Sequence, residues 1–257
     1  PGAPPAGSPI SNPVWENVSV DHWRDSLYSS ESKHCLAILF QDQLALFREL
    51  AIADRAVGRE YLSIVDSGCG TAELFSELSD LYDTCVGVEI APAMLELALA
   101  THPALASGTK EGKVHLLCGN AASLLEDVEA ALPSTHQFWS GHRTACMVMN
   151  TMGVLPRAIW KPVVEELFKT AGPSGRVVIV CLHKPSLRRG FEEYYSKSPG
   201  LCGPCTEADF DFVAGDFKAA SGYTSHWWDE ADLRTLMEPA MPAGTALTFT
   251  VKGAGIM

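Results

Sequence analysis

Residues 61–72, Tyr-Leu-Ser-Ile-Val-Asp-Ser-Gly-Cys-Gly-Thr-Ala, constrain this chain more than any other stretch. An apolar run through Leu62, Ile64 and Val65 leads into Asp66, then Gly68 and Gly70, then a helical pattern. A buried strand, a glycine turn and a helix start together present backbone N–H groups to a nucleotide-like ligand. Two glycines permit tight turns and a close ligand approach that a Cβ would obstruct.

The next apolar run, Thr84 to Ile90, carries an acid near its end. Glu89 lies 21 residues beyond Gly68 (89 − 68), the spacing at which a carboxylate accepts hydrogen bonds from a ribose diol. A dinucleotide fingerprint would place its third glycine at position 73, which is Glu73 here. A carboxylate at that point of the turn is expected to repel and crowd a pyrophosphate. No Gly-Lys-Ser/Thr follows, so a phosphate loop is excluded too. The expected ligand carries adenosine and little negative charge.

Val65-Asp66-Ser67-Gly68-Cys69-Gly70-Thr71-Ala72 resembles the first motif of class I S-adenosylmethionine-dependent methyltransferases. Gly87-Val88-Glu89-Ile90-Ala91-Pro92-Ala93-Met94-Leu95 resembles the second. The last position of the first motif, usually glycine, is Ala72. The resemblance spans roughly residues 60–184 and implies S-adenosyl-L-methionine as cofactor. It places Asp66, Gly68, Cys69, Gly70, Glu89, Ile90 and Met94 around that cofactor. Cys118-Gly119-Asn120-Ala121 resembles the family segment that meets adenine, which brings in Asn120 and Ala121; Asn120 is equally suited to capping the following helix. Met147 to Met152 resembles the segment between cofactor and acceptor, which adds Asn150 and Thr151. The Asn/Asp-Pro-Pro-Tyr/Phe of adenine- and glutamine-directed members is replaced by Asn150-Thr151-Met152-Gly153.

Strand and helix candidates alternate from residue 61 onward: strands at 61–66, 84–90, 114–118, 145–150 and 176–183, helices at 71–80, 92–101, 121–132 and 158–171. Near-continuous apolar strands in βα alternation predict a doubly wound, mostly parallel sheet covered by helices on both faces. The resemblance implies the seven-stranded Rossmann-like form, closed by an antiparallel strand pair. Residues 1–13, rich in Pro, Gly and Ser, read as a loose tail, and 14–56 as an N-terminal helical extension. Residues 60–184 form the cofactor core, and 185–228 an irregular substrate lid. Within it 186–196 reads as a short helix and 197–224 as irregular. Asp229 is placed to cap a helix at 230–238. Leu247, Phe249 and Val251 alternate with polar residues as in a half-buried strand, the whole forming a single domain.

His183 follows the fifth strand, where a histidine can take a proton from an acceptor, or merely serve as a hydrogen-bonded spacer. Tyr28, Tyr194, Tyr195 and Trp227, with Trp23, Tyr223 and Trp228 nearby, are candidates for roofing an acceptor pocket. The expected reaction is methyl transfer to an N, O or S atom of a small molecule by in-line displacement, driven mainly by proximity and orientation. The acidic balance and the aromatic residues point to an amine or small polar metabolite. A non-catalytic cofactor-binding scaffold and a nicotinamide-dependent oxidoreductase stand as alternatives.

Composition narrows the partners. Nineteen basic against 31 acidic residues give a net charge of −12, which opposes non-specific binding to a phosphate backbone. No apolar run reaches the ~18 residues of a membrane span, and no leader pattern opens the chain. Of eight cysteines, Cys69, Cys85, Cys118, Cys146 and Cys181 sit in or beside strand-like runs, as reduced buried thiols do. A cytoplasmic setting is expected. Cys202-Gly-Pro-Cys205 has no second pair or histidines at zinc-ligand spacing, so no metal is expected. Oligomeric state is not readable.

Overall fold

A computed structural model of the protein describes residues 35–197 and 202–251. The tail, the first part of the helical extension, and with it Trp23 and Tyr28, lie outside the described residues. Helix α1 (Cys35–Ala56) leads into β1 (Leu62–Ser67), α2 (Glu73–Leu78), β2 (Thr84–Glu89), α3 (Pro92–Thr101), α4 (Pro103–Lys110) and β3 (Val114–Cys118). Then follow α5 (Leu124–Ala131), β4 (His142–Met147), α6 (Thr151–Val154), α7 (Arg157–Ala171) and β5 (Arg176–Ile179). The five strands form one parallel sheet in the order β3-β2-β1-β4-β5.

Side chains alternate across the sheet with the two-residue period of a strand. Leu62 and Ile64 of β1, Cys85 of β2 and Cys146 of β4 pack with Phe40, Leu44 and Phe47 of α1 and Phe75 of α2. Val65, Val86, Val88, Ala145 and Met147 face the other way, against Val128 of α5 and Val163, Val164 and Leu167 of α7. Because both faces are covered, β1 is buried along its whole length, its polar Ser63, Asp66 and Ser67 included. The chain runs from β1 outward to β2 and β3, then returns to place β4 on the other side of β1. The resulting crevice, at the carboxyl ends of β1 and β4, is where ligands bind in such sheets.

Several boundaries differ from the sequence reading. β4 starts at His142, not Ala145, because its ladder with β1 begins at Leu62↔His142. It stops at Met147 because Met149 and Asn150 turn left-handed, with φ of 53° and 61°. β5 ends at Ile179; the chain then bends so that Leu182 O accepts from Trp228 N at 2.8 Å. The predicted helix 121–132 divides into a 3-10 turn, Ala121–Ser123, and α5. The lid, expected to be irregular after its short helix α8 (Leu187–Glu193), carries a second sheet. Strands β6 (Phe210–Asp211), β7 (Asp216–Lys218) and β8 (Thr224–His226) pair antiparallel, around a core of Tyr195, Phe210, Phe217, Tyr223 and Trp227. Asp229 caps the last helix, α9 (Glu230–Met237), in a reciprocal capping box with Asp232.

The expected strand at 247–251 has no ladder partner among the described residues, and the main sheet has five strands, not seven. Its packing survives at Leu247 and Phe249, while Val251 is exposed. Leu247 rests on the α7 side of the core, and the Phe249 ring sits 4.7 Å from the Arg234 guanidinium. Among the described residues no helix is long and apolar enough to cross a membrane.

Opposite the crevice, buried Asp54 at the end of α1 ties that helix to the sheet. Its carboxylate accepts from Arg59 Nη1 at 2.6 Å and from Arg176 at the start of β5, with His142 Nε2 3.4 Å away. Removing it leaves two guanidinium groups, each partly exposed, without their anion. Asp54→Ala is expected to lower the unfolding free energy by about 2–4 kcal/mol, reaching below the ~3–5 kcal/mol of a broken fully buried pair because the arginines are partly exposed. A denaturant-midpoint shift worth under about 1 kcal/mol would show that the arginines simply re-solvate.

Candidate active site

The glycine turn after β1 is fastened to the end of β2. Gly68 N and Cys69 N both donate to Val88 O, at 2.7 and 3.2 Å, and Gly70 N donates to Glu89 Oε2 at 3.0 Å. Gly68, Gly70 and Ala72 all have positive φ, at 79°, 56° and 57°. Ala72, where related motifs carry glycine, holds the left-handed conformation despite its Cβ, at a cost of roughly 1–2 kcal/mol. A Cβ on Gly68 would lie 2.6 Å from Thr151 Cγ2, whereas one on Gly70 would meet no protein atom within 4 Å. Gly68 is thus required by the protein's own packing. Gly70 leaves open space in a cleft it lines, the room a ligand's backbone-hugging portion needs.

That cleft has a cavity volume of about 130 Å³ and opens to solvent. On the β1-β2-β3 side it is lined by Gly68, Gly70, Val88, Glu89, Ile90, Ala91, Met94, Gly119, Asn120 and Ala121. On the β4-β5 side it is lined by Met149, Asn150, Thr151, Val154, Leu155, Pro156 and Leu182, with Leu36 of α1 and the lid's Tyr194, Tyr195 and Tyr223. Eleven of the expected site residues, counting Tyr194 and Tyr195, therefore share one cavity.

Glu89 does two jobs in the protein itself: Oε2 holds Gly70 N, and Oε1 accepts from Ala91 N at 3.0 Å, just ahead of α3. Each carboxylate oxygen keeps a second lone pair for a ligand hydroxyl. Burial pushes its pKa upward, opposed by those backbone N–H groups. Asp66 is more deeply buried and does not line the cleft; the Cys146 thiol lies 3.7 Å from its Oδ1. Burial, with the nearby Glu89 charge adding to it, raises the Asp66 pKa to about 7.

Asn120 caps the turn that follows it, its Oδ1 accepting from Ala122 N at 2.9 Å. Its Nδ2 has no partner among the described residues and can donate to a purine ring nitrogen. Asp127 fixes this loop by accepting from Asn120 N at 2.8 Å. Gly119 is confined by the same carboxylate, since a Cβ there would lie 2.3 Å from Asp127 Oδ2.

Some expected site residues are placed elsewhere or otherwise engaged. The Cys69 side chain packs in the core beneath the turn, against the Gly87 backbone, and burial raises its pKa. The Asn150 side chain is spent on the fold: Nδ2 donates to Ser225 Oγ and His226 O, both at 3.2 Å, and Oδ1 accepts from Leu182 N at 3.1 Å. His183 is drawn into a backbone bridge with Trp228 and does not line the cleft. Trp227 is lid core, its indole against Gly190 and its Nε1 donating to Tyr195 Oη at 3.1 Å. Glu73, expected to face a ligand phosphate, instead turns into the protein, accepting from Thr71 Oγ1 and lying 3.8 Å from His102 Nε2. It does not line the cleft, so it would not itself repel a pyrophosphate.

Residues not singled out from sequence complete the cleft: Leu36, Met149, Val154, Leu155, Pro156 and Leu182. Met149 is held from behind by buried Gln43 of α1, whose Oε1 accepts from Met149 N at 3.0 Å and whose Nε2 lies 2.8 Å from the Met149 sulfur. A polar residue at a buried position of an otherwise apolar helix face was the available signal for that contact.

The raised Asp66 pKa has a definite sign in stability. Between about pH 4 and pH 7 the unfolded chain has lost this proton, while the folded chain retains it. Folded-state stability contributed by Asp66 therefore falls as pH rises through that window. Unfolding free energies of wild type and Asp66→Asn, measured by denaturant at both ends, should diverge with pH, wild type losing on the order of 4 kcal/mol relative to the variant. Parallel pH profiles would show that Asp66 ionises normally in the folded protein.

No family model matches the sequence, and no curated protein matches it either. Solved structures do match. Magnesium protoporphyrin IX methyltransferase (ChlM) from Synechocystis PCC 6803 with bound SAH aligns with a TM-score of 0.51 at 16% identity, over 86% of this chain and 82% of its own. The same enzyme with bound SAM gives 0.53 at 13% identity, over 89% and 82%. An S-adenosylmethionine-dependent methyltransferase from Clostridium acetobutylicum ATCC 824 gives 0.50 at 11% identity, over 86% and 85%. With the five-stranded parallel sheet and the glycine turn described above, these alignments establish that the chain has the class I S-adenosylmethionine-dependent methyltransferase fold.

Proposed function

We propose that this protein is an S-adenosylmethionine-dependent methyltransferase acting on a small molecule. The observation that carries the reading is a single cleft joining two surfaces. One presents the glycine turn, Glu89 and Asn120; the other is a chamber closed by the lid. Bound donor would supply an electrophilic methyl on a sulfonium sulfur, a good neutral leaving group. The open space at Gly70 fits its methionine portion, Glu89 its ribose diol, and the Ile90–Met94 and Asn120–Ala121 walls its adenine.

The chain's contribution is positioning. Backbone N–H groups of the turn are held by Val88 O and Glu89, so the turn need not reorganise to receive a ligand. Glu89 is fixed from both sides and can take a diol without side-chain entropy loss. Thr151 packs on Gly68, and its Oγ1 donates to Val148 O at 2.7 Å, setting the wall between the two halves. The acceptor lone pair forms a bond to the methyl carbon as the carbon–sulfur bond breaks, its electron pair staying on sulfur. Holding the reacting atoms about 3–3.5 Å apart and in line supplies much of the acceleration. His183 takes no part in this scheme, since its ring does not line the cleft. The Glu89 carboxylate beside the turn gives that side a negative field suited to a cationic donor.

Titration of the full chain with S-adenosylmethionine and S-adenosylhomocysteine should show one site. Glu89→Ala should weaken both by about a hundredfold, from the loss of two charge-assisted hydrogen bonds. Gly70→Ala should lose about 1–2 kcal/mol of stability from its left-handed φ, still fold, and bind poorly, because the added methyl meets ligand rather than protein. Wild-type binding that is absent at millimolar ligand, or unchanged in both variants, would overturn the assignment.

A further inference from the structure

The chamber on the β4-β5 side carries information about what the cleft accepts, and this step rests on the methyltransferase reading above. We infer that the acceptor is an uncharged, largely apolar small molecule. Val154, Leu155 and Leu182 form one wall, and the rings of Tyr194, Tyr195 and Tyr223 form the other. Among the described residues, Glu89 is the one ionisable acid or base on the lining besides these tyrosines. Both its oxygens are already anchored at the β2 end by Gly70 N and Ala91 N.

The polar groups of the chamber are committed to the protein. Asn150 spends both ends of its amide on Ser225, His226 and Leu182. Tyr195 Oη accepts from Trp227 Nε1, and burial pushes its pKa up to about 12, so it stays neutral. A charged acceptor would lose its hydration here without meeting a counter-charge, which is strongly unfavourable. An apolar one gains from covering the same surface.

The acidic residues of the lid are occupied away from the cleft. Glu207 pairs with Arg188, and Asp209 closes a capping box with Thr206. Asp211 accepts from Val213 N and Ala214 N. Asp216 holds Arg157 and His226. None of them lines the chamber.

Binding tests this more directly than turnover. The full chain, saturated with S-adenosylhomocysteine, is titrated calorimetrically with quinoline, 2-naphthoate and 2-naphthylmethylammonium, matched in size and differing in charge. Quinoline should bind at least about tenfold more tightly than either ion. Val154→Lys and Leu155→Lys, both at half-buried positions, should each weaken quinoline about tenfold while leaving S-adenosylhomocysteine affinity unchanged. The inference is overturned if either ion binds as tightly as quinoline, if no probe binds, or if quinoline binding survives both substitutions. Failure of S-adenosylhomocysteine to bind wild type would instead remove the methyltransferase reading beneath it.

Discussion

The site depends on left-handed backbone at the ends of the two central strands. β1 exits through Gly68, Gly70 and Ala72, and β4 exits through Met149 and Asn150, all at positive φ. These are adjacent strands in the sheet, so two sharp departures side by side open the crevice between them. Three of the five residues carry a Cβ, and each such residue costs of the order of 1–2 kcal/mol. Such conformations persist only where surroundings over-determine them. Here the surroundings can be named. Phe75 N and Ser76 N both donate to Ala72 O, Gln43 brackets Met149, and Asn150 is held by hydrogen bonds to three other residues. The cleft is therefore a consequence of local strain balanced by specific partners, not a gap left by poor packing.

Those partners explain why the turn side of the cleft was legible in the sequence and the lid side was not. The glycine turn, Glu89 and Asn120 all belong to one βαβαβ run, where strand periodicity and fixed spacing determine which residues reach the same sheet edge. Position along the chain then translates directly into position in space. The acceptor chamber draws on α1, the residues after β4, the end of β5 and the lid, which meet only through tertiary packing. No period links Leu36 to Tyr223. His183 and Trp227 were misjudged for the same reason. Strand polarity puts residue 183 near the edge, but the pairing of Leu182–Lys184 with Trp228 takes it out of the cleft. The alternation of Leu247 and Phe249 marked half-buried positions, but Val251 is exposed, and alternation does not specify a ladder partner.

Glu73 shows how a motif argument can reach a sound exclusion by an unsound step. The third glycine of a dinucleotide fingerprint allows close packing of helix on strand, and a larger residue there must go somewhere. In this chain it goes inward, toward Thr71 and His102, and away from the ligand side. The ligand preference is better argued from the fields on the turn itself. Buried Asp66 and half-buried Glu89 sit beneath and beside the same backbone N–H groups. The N–H groups alone would welcome an anion. The Glu89 carboxylate behind them offsets that attraction and favours a ligand bringing a positive centre over one bringing a pyrophosphate.

Asn150 ties the chemistry of the crevice to the closure of the lid. Its backbone N donates to Val180 O, its Oδ1 takes Leu182 N, and its Nδ2 reaches Ser225 and His226 on β8. One residue at the floor of the cleft thus determines where β5 ends and where the small sheet docks. The tyrosines of the roof are anchored to that sheet through a shared aromatic core, Tyr195 lying 4.4 Å from Phe217. Roof height above the floor is therefore set by a side chain that itself touches the cavity. The left-handed φ at Asn150 is what points its amide toward β8 while leaving Thr151 to face Gly68. Strain at the strand end, the depth of the acceptor chamber and the attachment of the lid are in this way three aspects of one backbone conformation.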